Sequence, residues 1–93
     1  MQEHTKVYRT FYNLKDISEF FCVECGTQAD DIHHLDAKKL GGSKLKNHIE
    51  NLAALCRFHH ELCHKDSRFN AKIKCLVLDM VKEVIQARGK FWS

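Results

Sequence analysis

The 93-residue chain contains no proline, and nowhere does it carry the run of about 18 apolar residues that a membrane-spanning helix requires. Its opening residues do not read as a secretory leader. The segment Met1-Gln2-Glu3-His4-Thr5-Lys6 is polar and leads into mixed aromatic sequence without an apolar stretch. Internal repeats, low-complexity tracts and long linkers are also missing, so residues 1–93 read as one domain. A large excess of charge of one sign is missing, and a net charge of +3 permits a polyanionic partner without demanding one. These absences predict a cytoplasmic protein that does not engage a membrane. A hydrophobic content of 44% places the chain among globular rather than disordered sequences.

What the chain has in plenty is metal-ligating side chains: five cysteines and seven histidines. A domain of this length buries only about two thirds of the surface its unfolded form exposes, and its core alone is marginal. An added staple is expected. Most of the cysteines and histidines lie between Cys22 and His64, which makes that staple a metal rather than a disulfide framework. The odd cysteine count agrees, as does the reducing compartment, in which a C-x2-C pair more often binds metal or works as a redox pair.

Three blocks follow one another. Between Val7 and Phe21 apolar residues are too dense for a clean period, although Asp16 with Glu19 has the form of a cap for a short helix. From Cys22 to His64 short apolar stretches alternate with ligand residues. Asp31-Ile32-His33-His34-Leu35 reads as a short strand, Gly41-Gly42-Ser43 with its lysines as a basic loop, and Leu52 to Cys56 as a returning strand. The last block is a helix over about 70–88, with Asn70 as N-cap and Gly89 as C-cap. Its apolar stripe runs through Ile73, Leu76, Val77, Met80, Val81, Val84 and Ile85 and is expected to pack on the core.

The ligands divide into two sets. Cys22-x2-Cys25-Gly26 has the form of a zinc knuckle, and Cys56-x2-His59 repeats the same gap, so the four supply a tetrahedral Cys3His site. Cys63, four residues after His59, is the alternative fourth ligand. A redox role for Cys22 and Cys25 would call for a βαβ setting that this chain lacks. His33, His34, His60 and His64 form the second set, an adjacent pair plus an i, i+4 pair on a helix beginning near Arg57. A structural zinc site fills its coordination positions, whereas a three-His site leaves some open for water and substrate. The fourth histidine is then free to act as a general base near neutral pH.

From Cys22 to His64 the pattern resembles the HNH endonucleases: Cys22-x2-Cys25, Asp31-Ile32-His33-His34-Leu35-Asp36, Gly41-Gly42, then Asn51-Leu52-Ala53-Ala54-Leu55-Cys56-x2-His59-His60-x3-His64. One departure is visible, since many knuckle-bearing members have Cys-x2-Cys-His and here His59 replaces the second Cys of that pair. The resemblance implies an α+β fold, a small ββα-metal (HNH) core with a structural zinc site and flanking helices. It implies hydrolysis of DNA phosphodiester bonds with 5′-phosphate and 3′-hydroxyl products. His34 matches the general base, and His33, His60 and His64 match the ligands of one catalytic divalent ion. Asn51 matches the residue that orients the loop carrying the base. Three neutral imidazoles favour Mn2+, Ni2+, Co2+ or Zn2+ over Mg2+, although abundance makes Mg2+ a candidate as well.

Basic residues flank this set: Lys38, Lys39, Lys44 and Lys46 on one side, Arg57, Lys65 and Arg68 on the other. They suit contacts to a nucleic-acid backbone, which carry little sequence specificity. DNA is the expected partner, and a homodimer or a larger protein machine is a further possibility. Two rivals make different forecasts. A non-catalytic zinc module that binds nucleic acid gives His34 no role, and a nuclease-fold accessory factor of a phage-type packaging or recombination machine would cleave only with its partner.

Overall fold

A computed structural model describes residues 2–36 and 48–89. It is a small α+β domain, with a two-stranded antiparallel sheet and three helices among the described residues. In chain order these are α1 (Glu3–Phe11), β1 (Asp31–His34), β2 (Leu52–Leu55), α2 (Arg57–Lys65) and α3 (Ser67–Gly89). Single 3-10 turns stand at Ile17–Glu19 and Ile49–Asn51. The basic loop with Lys38, Lys39, Lys44 and Lys46 lies outside the described residues.

The first helix replaces the unperiodic block expected after Val7. Its spacing becomes legible only when the window starts earlier, because His4, Val7, Tyr8 and Phe11 fall at i, i+3, i+4 and i+7. Asn13 ends it in the left-handed region at φ 56°. The Leu14 N–H reaches back to the Arg9 carbonyl at 2.9 Å and the Asn13 N–H to Thr10 at 3.2 Å, the Schellman pattern that absorbs the last free carbonyls. Asp16 caps the following turn as expected, accepting from the Ser18 N–H at 2.8 Å, while Glu19 accepts from the Lys15 N–H at 2.6 Å.

The strand expectations hold. Asp31 pairs with Leu55, Ile32 with Ala54, His33 with Ala53 and His34 with Leu52. All four β2 residues are buried, because both faces of the sheet are covered. Leu52 and Ala54 meet Tyr8 and Phe20 on the α1 side. Ala53 and Leu55 meet Ile73, Val77, Val81, Cys63 and Cys22 on the α3 side. Successive strand residues point to opposite faces. The His33–His34 pair therefore straddles the sheet, one imidazole on each face.

Two features of the last helix differ from the sequence reading. It begins at Ser67, capped by Asp66, whose carboxylate accepts from the N–H groups of Arg68 at 2.9 Å and Phe69 at 3.3 Å. Asn70 lies inside the first turns and caps nothing. The buried stripe is Ile73, Val77 and Val81, an i, i+4, i+8 line, whereas Ile85 at its far end is exposed. Gly89 is the last described residue of the helix.

Candidate metal centres

The knuckle is a tight loop joined to the sheet. Phe21 bridges to Gln28, the Cys22 N–H bonds the Thr27 carbonyl at 2.7 Å and the Gly26 N–H bonds Cys22 at 2.9 Å. Gly26 sits at φ +79° with open space where a Cβ would be, so the backbone conformation alone selects glycine there. The Val23 N–H bonds the Ala54 carbonyl at 3.0 Å and the Asp30 N–H bonds Leu55 at 3.0 Å, which fixes the loop to the end of β2. On the other side of the gap, Asp30 accepts from the Arg57 N–H at 2.8 Å and holds the start of α2, where Cys56 is the N-cap.

These ties bring Cys22, Cys25, Cys56 and His59 into one cluster that could hold a metal such as zinc. Zinc bonds of about 2.3 Å to sulfur and about 2.0 Å to nitrogen put two tetrahedral ligand atoms about 3.3 to 3.8 Å apart. The Cys25 and Cys56 sulfurs are 3.8 Å apart, and His59 Nδ1 lies 3.6 Å from the Cys22 sulfur and 3.2 Å from that of Cys56. Those separations fit a single ion. The Thr27 hydroxyl, 3.0 Å from the Cys25 sulfur, and the Thr27 backbone lower the Cys25 thiol to about 6, so it is largely thiolate at neutral pH. Burial raises Cys56. Phe69 stacks on the His59 ring at 5.6 Å and 20°, and Lys72 bonds Glu24 at 2.6 Å, so α3 braces the knuckle from outside. Cys63 is not in this cluster. It is buried in the core beneath α3, and burial pushes its thiol up to about 11.

A second cluster joins His33 of β1 to His60 and His64 of α2. Ring centroids are 4.9 Å apart for His33 and His60, 5.1 Å for His33 and His64, and 5.0 Å for His60 and His64. The Nε2 atoms of His60 and His64 are 3.3 Å apart, again a spacing that two nitrogens on one ion would have. His60 Nδ1 meets the Asp31 carboxylate at 3.1 Å, which turns Nε2 toward the cluster. A carboxylate behind a ligating histidine is the usual arrangement in metal sites. Burial holds His33 below its ordinary value, so it stays neutral and available to a cation at neutral pH.

His34 does not join this group. It faces α1, where its ring meets His4 edge-on at 4.9 Å. The Asn51 side chain bonds the backbone of Asp36 twice: its Oδ1 accepts from the Asp36 N–H at 2.9 Å and its Nδ2 donates to the Asp36 carbonyl at 3.1 Å. The Leu35 N–H adds a bond to the Asn51 carbonyl at 2.9 Å. The backbone just after His34 is thereby clamped on both sides. Arg57, Lys65 and Arg68 are exposed at the two ends of α2 and the start of α3.

Three residues of the site were not anticipated: Asp31 behind His60, His4 beside His34, and Asn70, whose Oδ1 lies 2.8 Å from His33 Nε2. Asp31 carried a signal, two positions before His33 on an alternating strand. His4 and Asn70 carried none, because their places depend on how α1 and α3 dock.

No family model matches the chain, and no solved structure matches it. It is similar to the uncharacterized protein YdfU of Escherichia coli (strain K12), at 44% identity over 46 residues. That stretch is 50% of this chain and 13% of YdfU, so the chain spans only a small part of that relative's length. Among the described residues no helix is long and apolar enough to cross a membrane.

Proposed function

We propose that the chain is a metal-dependent endonuclease of the HNH type that hydrolyses DNA phosphodiester bonds. The observation that carries this reading is the convergence of His33, His60 and His64 beside a backbone clamped by Asn51 at the end of the strand bearing His34. The order of β1, β2 and α2 is that of a ββα-metal unit, with the Cys22, Cys25, Cys56 and His59 cluster as its structural zinc site.

In this reading His34 takes the proton from the attacking water, for which an imidazole is suited near neutral pH. The two adjacent histidines act from opposite faces of the sheet, on either side of β1. His33, His60 and His64 hold the divalent ion through neutral nitrogens, and Asp31 keeps His60 in the correct ring orientation. Such an ion, when bound, supplies charge neutralisation on the phosphate and help for the departing oxygen. Arg57, Lys65 and Arg68 supply sequence-independent backbone contacts.

Plasmid nicking by the zinc-loaded protein with Mn2+, Ni2+ or Mg2+ tests this, comparing wild type with His34→Ala. Activity in the wild type and a loss of about 100-fold or more in the variant is expected. Equal activity, or silence of both under all three ions, would return the chain to the class of non-catalytic nucleic-acid-binding modules.

A further inference from the structure

One contact at the histidine cluster is made from outside the strand and helix that carry it, by Asn70. It lies 37 positions from His33 in the sequence, in the second turn of α3, where a polar side chain could equally point to solvent. Instead it reaches across to β1 and makes two bonds there. Its Nδ2 donates to the Leu35 carbonyl at 3.0 Å, and its Oδ1 stands 2.8 Å from His33 Nε2. The first bond fixes the second. An amide has one donating end and one accepting end, and with the NH2 committed to a carbonyl the oxygen must face the imidazole. Asn70 has no other task in the helix, since Asp66 already caps it.

We propose that Asn70 supplies an oxygen ligand to the ion held by His33, His60 and His64, making that centre a three-nitrogen, one-oxygen site. The proposal rests on the reading of the three histidines as a metal centre. Two atoms bound to one ion at about 2.1 Å and at right angles are about 3.0 Å apart, close to the Oδ1 to Nε2 separation. Without an ion the pair is a hydrogen bond, with His33 Nε2–H donating to the amide oxygen. Binding requires the other neutral tautomer: the proton moves by exchange through solvent from Nε2 to Nδ1, with no net release, and the Nε2 and amide-oxygen lone pairs both turn to the cation. An amide oxygen is a hard donor, and adding it to three imidazoles moves the preference of the site toward Mn2+ and Mg2+ relative to an all-nitrogen set. A second consequence is mechanical. The ligand comes from α3, so the centre is tied to the core that Ile73 and Val77 build one and two turns further along.

The test is titration of the zinc-loaded full chain with Mn2+ at pH 7, followed by calorimetry and by the Mn2+ paramagnetic resonance signal, without nucleic acid. Asn70→Ala is expected to weaken Mn2+ about tenfold or more while the far-UV circular dichroism and the zinc content stay as in the wild type. Asn70→Asp, which keeps an oxygen toward His33 but loses the donor to Leu35, is expected to bind Mn2+ at least as tightly as the wild type. Should Asn70→Ala lose its helical signal, Asn70→Ser repeats the measurement. Wild-type affinity in Asn70→Ala, with His60→Ala silent, overturns the oxygen ligand. Equal weakening in Asn70→Ala and Asn70→Asp also overturns it, because the tie to Leu35 would then be what matters. If the wild type and His60→Ala take up Mn2+ alike, it is the three-histidine reading beneath the proposal that has failed.

Discussion

The two candidate centres share a nine-residue helix and little else. The knuckle draws three sulfurs and a nitrogen from a hairpin loop and the first turn of α2, with every donor close enough to complete a tetrahedron. The histidine centre draws three nitrogens from a strand and from the body and last turn of the same helix, a set that would leave coordination positions open on an ion. Their surroundings differ in the same sense. The knuckle is braced by main-chain bonds and by Phe69, whereas the histidine centre is held by side-chain hydrogen bonds from Asp31 and Asn70. A closed soft site suits holding a fold together, and an open one suits exchanging ligands.

Removing one thiolate should separate the two centres most sharply. Cys25→Ser is expected to abolish cooperative unfolding and zinc retention together, since binding energy at such a site is folding energy. His60→Ala should leave both intact. Circular dichroism with metal analysis reads this, and a folded, zinc-bearing Cys25→Ser protein would erase the contrast.

The face of the sheet away from both centres should fail in alkali instead. Burial lifts Tyr8 from its ordinary value near 10 to about 12, with the Ala54 backbone offsetting part of the effect. Because the folded value is the higher one, this stability is fully present below pH 10 and disappears as pH rises through 12. The loss amounts to about 2 to 3 kcal/mol. Urea unfolding of the zinc form across that range should show the slope, and Tyr8→Phe should reduce it, the remainder belonging to Tyr12, which burial also raises.

Asp31→Asn sharpens the contrast within α2. Losing the carboxylate behind His60 should weaken Mn2+ at the histidine centre by about 10- to 100-fold, while zinc at the knuckle is unchanged. Competitive titration with a chelator measures both. The smallest effect belongs to Lys72→Ala. Its ion pair with Glu24 links α3 to the knuckle but is 58% exposed on the lysine side, so its removal should cost under about 1 kcal/mol. A loss of zinc in that variant would show that α3, and not the loop, holds the knuckle closed.

Much of this arrangement was legible in the chain. Ligand spacing marked both clusters, because two residues between donors and a full helical turn between histidines are local distances. Strand alternation around His33 and the apolar segment from Leu52 located the sheet. The first helix escaped because its apolar face starts with His4, ahead of the dense run beginning at Val7. Asn70 was assigned to capping, a local role, and its real partners lie 35 and 37 residues away. Cys63 sat at ligand spacing from His59 yet faces the core, a direction that only the docking of α3 decides.

His59 and His60 are consecutive residues that fall in different candidate centres. An ion at the knuckle would fix the first turn of α2, and with it the direction in which His60 and His64 project. The histidines would then meet their own ion already assembled, whereas in a knuckle-free chain that ion must also bear the cost of ordering the helix. Were both centres to take up ions, one peptide bond would favour an order of loading: the knuckle first, the histidines afterwards. The reverse order would begin from an unassembled site and be weaker by the fraction of chains in which the helix had formed.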